Sequence, residues 1–85
     1  MDTDTVKNIE QSIHKMLLEK TSQVSYNAWL KDLMVVDIKE NQIFFSIYSD
    51  YKKNIIESNY MPILEDIVGK IVGINIKIVF INLTH

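Results

Sequence analysis

The sequence predicts an α+β fold in the order ααββαβ, with one three-stranded sheet and its helices packed on one face. Three observations predict it. Before residue 34, apolar residues recur every three or four positions, the spacing of helices with one buried face. The period then falls to two across a short polar turn, which is the pattern of a β-hairpin. A long helical stripe then separates the hairpin from a last apolar run.

Each element follows in order. Residues 1–4 are polar and expected to fray. Val6, Ile9, Ile13, Met16 and Leu17 give a first amphipathic helix ending near Lys20. Thr21-Ser22-Gln23 breaks its period, and Ser25 is the expected cap of a second helix over residues 26–33. Val24 and Trp29 would close a hydrophobic staple around that cap. Tyr26, Trp29, Leu30 and Leu33 share one face, which places Trp29 in the core. Met34, Val36 and Ile38 then alternate with Val35, Asp37 and Lys39. After a turn at Glu40-Asn41, Ile43, Phe45 and Ile47 alternate with Phe44, Ser46 and Tyr48. Ser49 or Asp50 caps a third helix, whose stripe runs from Ile55 to Ile71. Pro62 lies inside it and predicts a kink near Ser58. Gly69 or Gly73 ends the helix, and residues 74–81 form the last strand. With Ile43, Phe45, Ile47, Ile76, Ile78 and Phe80 facing the helices, the other face would carry Val35, Phe44, Tyr48, Val79 and Ile81. That is too apolar for a solvated face and predicts a contact surface.

At 85 residues the chain is one domain's worth, 1–85 with a core of about 6–81. Nine Lys and no Arg against 11 acidic residues leave a net charge of −2, so no broad basic field is available to hold a phosphate backbone. The lack of Cys excludes disulfides, thiolate zinc sites and Cys nucleophiles, and suits a reducing cytoplasm. Its longest apolar run is four residues, against the roughly 20 that a membrane span needs. No membrane contact is expected.

Catalytic and metal chemistry find no support in the sequence. His14 follows Glu10 by four residues and reads as a surface helix pair, while His85 is terminal. Asp32, Asp37, Glu40, Glu65 and Asp66 lack the spacing of a calcium loop or a two-carboxylate hydrolase. The chain is therefore expected to be no enzyme and to need no cofactor or metal. Gly69-Lys70 lacks a Walker motif's glycine loop. Small size and mixed elements suggest a KH-like domain, but Gly69 and Gly73 are separated by three residues where the GXXG loop has two. Tyr51 beside Lys52-Lys53 is the one place where an aromatic could stack on a base, and a solvated helix face explains it as well. Asn82-Leu83-Thr84 has the form of a glycosylation acceptor without a secretory signal.

Taken together, VSYNAWLKDL, IFFSIYSDY and IIESNYMPILEDIV resemble the N-terminal domain of the bacterial replication initiator DnaA. Ser25, Tyr26 and Trp29 match that family's Ser-aromatic-x-x-Trp helix, and Ser49, Asp50 and Tyr51 match its Pro-Asn-x-Phe hairpin end conservatively. Glu57, Tyr60, Ile63 and Leu64 match its acidic helix segment, and Ile76, Ile78 and Phe80 its last strand. The resemblance implies a protein–protein interaction module acting at the replication origin. Its implied partners are other initiator molecules, the replicative helicase and initiation regulators. The implied partner surface is Ser25, Ser49, Asp50, Tyr51 and Lys52. Ile9 and Glu10 stand where the family places a self-association face, often with an exposed Trp. With Phe44 of the sheet they are the candidate residues for a homodimer. The nucleotide-binding and helix-turn-helix domains that complete an initiator are not expected in this chain. A KH-like single-stranded nucleic-acid binder, with weak single-stranded DNA binding, is the alternative reading.

Overall fold

A computed structural model describes residues 2–83. The long first helix α1 (Thr3–Lys20) is followed by the short α2 (Gln23–Ser25), which widens into a π-helical turn at Tyr26–Leu30. The strands β1 (Met34–Lys39) and β2 (Gln42–Ile47) form the hairpin. Helices α3 (Asp50–Asn59) and α4 (Met61–Ile71) follow, then β3 (Lys77–Asn82). The sheet order is β1-β2-β3, with β1 antiparallel and β3 parallel to β2. This is the expected α+β architecture, with its sheet mixed.

Residues 3 and 4 of the segment expected to fray belong to the first turn of α1, and residue 1 lies outside the described residues. Asp2 caps the helix, accepting the Thr5 N–H at 3.0 Å and the Thr5 hydroxyl at 2.9 Å. Val6, Ile13 and Leu17 on α1 meet Leu64, Ile67 and Val68 on α4, and together with the inner face of the sheet they form the core. That inner face carries Val35, Ile38, Ile43, Phe45 and Ile47, with Phe80 against Phe45 at 6.1 Å between ring centres.

Several local expectations change. Ser22, not Ser25, caps the second helix, accepting the Ser25 N–H at 3.0 Å. Val24 is 78% exposed, so no staple closes there. The break in the third helix falls at Tyr60 rather than Ser58. Pro62 then sits in the first turn of a new helix, where a missing N–H costs nothing. Gly69 lies inside α4 and Gly73 follows its end, donating to the Val68 carbonyl at 3.1 Å. The last strand starts at Lys77 because residues 74 and 75 turn, leaving Ile74 exposed. The hairpin turn is as expected. Glu40 and Asn41 both have positive φ, 53° and 63°, the handedness that suits a two-residue hairpin.

Strand β1 departs most from strict alternation. Its register runs from Val35 opposite Phe45 directly to Asp37 opposite Phe44, so Val36 is an inserted bulge residue. The insertion reverses the phase: Val35 turns into the core, and Val36, 53% exposed, takes its place on the open face. Asp37, Phe44, Ser46, Val79 and Ile81 complete that face by register.

Candidate protein-interaction site

The ends of three elements converge beside the sheet. The π turn delivers Trp29, and the residues after it deliver Asp32 and Leu33. The end of β2 brings Ser46, Ile47 and Tyr48, and the start of α3 brings Lys52. Together they line a cleft of about 40 Å³, far below the several hundred that a small-molecule substrate fills. Tyr51, 66% exposed, lies against the Trp29 wall of the cleft, its ring edge-on to Trp29 at 5.8 Å and 64°. Lys52 reaches Asp32 at 3.5 Å across the rim. Both partners are substantially exposed, so the pair contributes charge pattern more than stability.

The start of α3 is held firmly. Ser49 is its cap, accepting the Lys52 N–H at 3.2 Å, while the Asp50 carboxylate accepts from the Asn82 side chain at the end of β3. These two contacts fix the direction in which Tyr51 projects. A ring on a rigid backbone loses little entropy when a partner covers it.

Of the residues singled out for partner binding, Ser49, Asp50, Tyr51 and Lys52 follow one another at the start of α3. Ser25 heads the π turn, and Trp29, four residues on, is the side chain that meets Tyr51. Trp29 is half-buried and packs against the core from its edge, so it is a cleft wall rather than a central core residue. No sequence signal marks Asp32 as a site residue, because its ion pair with Lys52 spans 20 positions.

The self-association residues are spread over two surfaces. Ile9 packs against the core, and the Glu10 carboxylate accepts the Val35 N–H at 2.6 Å, beside a groove of about 340 Å³ between α1 and β1. Phe44 lies on the open sheet face with Val36, Asp37, Lys39 and Ile81, and Lys39 Nζ sits 5.9 Å from its ring centre. The expected Glu10–His14 surface pair is not formed. Glu10 turns to β1, and the half-buried His14 turns to Tyr26 and Leu33. His85 lies outside the described residues. Among the described residues, no group of three His, Cys, Asp or Glu side chains is placed to hold a metal, and no helix is long and apolar enough to cross a membrane.

Two comparisons bear on kinship. The chromosomal replication initiator protein DnaA of Thermodesulfovibrio yellowstonii is 26% identical over 76 residues, covering 89% of this chain. The chain spans 17% of that relative's length. Residues 8–70 match the family model described as the DnaA N-terminal domain, from the second turn of α1 almost to the end of α4. With most of its length inside that match, the chain belongs to the DnaA N-terminal domain family.

Proposed function

We propose that this chain is the protein-interaction module of a DnaA-type replication initiator, and that the Trp29–Tyr51 cleft receives another replication protein. The replicative helicase and regulators of initiation are the partners the family suggests. The observation that carries this reading is the Tyr51 ring, exposed yet braced by Trp29 and by the anchored start of α3. An aromatic anchor with a charged rim at Asp32 and Lys52 has the composition of a small, transient interface. Titration calorimetry against the purified replicative helicase of the same organism tests it. Tyr51→Ala should weaken binding by about 1–2 kcal/mol, the weight of a hot-spot aromatic. Equal binding by the variant would refute the assignment.

Self-assembly, the other role the family suggests, we assign to the open sheet face. Val36, Phe44 and Ile81 form an apolar strip there that no helix among the described residues covers. The rim carries both signs, Asp37 with Lys39, which suits a self-complementary two-fold contact with a second copy. Edge-to-edge pairing through β1 is disfavoured, because Glu10 occupies the Val35 N–H and Asp37 the Ile38 N–H. Sedimentation equilibrium of the parent and Phe44→Lys decides the point. A parent that stays monomeric at high concentration would refute it.

A further inference from the structure

We infer that His14 is a positioning residue for the cleft: its imidazole clamps both ends of the segment that carries Trp29 and Asp32. The inference rests on the reading of the cleft as a partner site and adds the device that shapes it. One ring nitrogen, Nδ1, lies 2.8 Å from the Tyr26 hydroxyl, and the other, Nε2, lies 2.6 Å from the Leu33 carbonyl. A carbonyl can only accept, so Nε2 carries the proton. In the neutral ring Nδ1 is then an acceptor, and the Tyr26 hydroxyl donates to it. The rings of His14 and Tyr26 also meet edge-on at 5.8 Å and 90°.

The clamped segment is unusual. The Lys31 N–H bonds to the Tyr26 carbonyl at 2.8 Å, five residues back, so the turn is one residue wider than an α-helical turn. Such turns are rare and concentrate at functional sites. An extra residue rotates everything after it by about 100° relative to an α-helix, since each residue of a helix turns the chain by that amount. Trp29 and Asp32 face Tyr51 and Lys52 with that wide turn in place. Tightening it to a regular turn would displace Trp29 within it, rotate Asp32 away from Lys52 and draw Leu33 out of step with Tyr26. One imidazole holding Tyr26 on one side and Leu33 on the other opposes that change. His14 itself is on α1, outside the cleft lining, and acts through the π turn.

The test uses three variants of the whole chain. Tyr26→Phe removes one hydroxyl, His14→Phe removes both bonds, and His14→Gln retains a donor that can reach the Leu33 carbonyl. In the parent, long-range proton–nitrogen NMR should show the Nε2–H tautomer. The Nδ1–H tautomer would overturn the inference. In Tyr26→Phe the nuclear Overhauser contact between the Trp29 and Tyr51 rings should weaken, and the Lys31 amide should exchange about fivefold faster, the scale of one neutral hydrogen bond. His14→Phe should lose that contact, and His14→Gln should recover part of it. If His14→Phe does not fold, Tyr26→Phe alone decides. Folded variants with an unchanged ring contact and Lys31 exchange would overturn the clamp. Affinity for the purified helicase should fall in the same order as the ring contact. Failure of the cleft reading is a separate outcome, seen when Tyr51→Ala binds helicase as well as the parent, and the NMR results still decide the clamp in that case.

Discussion

Truncating Trp29 separates a cleft wall from a core residue. Removing a fully buried large aromatic costs about 3–5 kcal/mol. The Trp29 ring keeps part of its surface in water, so about half of that, roughly 2 kcal/mol, is expected for the lost packing. The edge contact with Tyr51 adds about 0.5–1 kcal/mol. For a chain of this size each kcal/mol lowers the melting temperature by about 4–8 °C, so Trp29→Ala should melt roughly 10–20 °C below the parent. Phe45→Ala is the internal standard, because that ring is wholly excluded from solvent and should show the full core cost. Urea unfolding followed by far-UV circular dichroism is the suitable assay, since Trp29 is the only Trp and its removal abolishes indole fluorescence. A double-mutant cycle with Tyr51→Ala isolates the ring contact, with a coupling of about 0.5–1 kcal/mol expected. Two results would refute the reasoning. A loss equal to that of Phe45→Ala would make Trp29 a core residue, and a loss below about 0.5 kcal/mol, the range of ordinary surface changes, would show that its ring packs against nothing.

Three further outcomes are expected. Glu10→Ala strips the Val35 N–H of its carboxylate and should destabilise the protein by about 1–2 kcal/mol; an unchanged urea midpoint would show that water replaces the bond without cost. Deleting Val36 should leave a folded protein, because the bulge residue has no cross-strand partner and its loss keeps Val35-in, Asp37-out, Ile38-in as a regular alternation; loss of the folded circular dichroism spectrum would count against that register. The Asp2 carboxyl is held below its usual 3.8, first by the Thr5 N–H and then by the Thr5 hydroxyl. A depressed carboxyl supports the fold fully above 3.8, and its support is lost as pH falls through the lower folded value. The Thr5 amide should therefore lose its protection from exchange at the acid end of a titration, and an Asp2 that titrates at the ordinary value would contradict the cap.

What the sequence determined by itself is what depends on near neighbours. The helical stripe Val6, Ile13, Leu17 fixed the buried side of α1, and the alternation Ile43, Phe45, Ile47 fixed the inward side of β2. Glu40-Asn41 marked a hairpin turn that the backbone adopts with two positive φ values. Ser49 and Asp50 marked the start of α3, whereas Trp29, read as core from its phase, stands in the structure as a cleft wall against the Tyr51 ring. Periodicity could not show where the period itself slips. An inserted residue at Val36 and a widened turn at Tyr26–Leu30 each rephase everything after them, and both leave the local composition unchanged. The same holds for Glu10 and His14, whose spacing of four suggests a pair. Each instead bonds to a segment 12 to 25 residues away: Glu10 to the Val35 N–H, His14 to the Tyr26 hydroxyl and the Leu33 carbonyl. Only the packing of α1 across β1 and the π turn brings those groups within hydrogen-bond reach, so which polar side chains brace the fold was decided by tertiary structure.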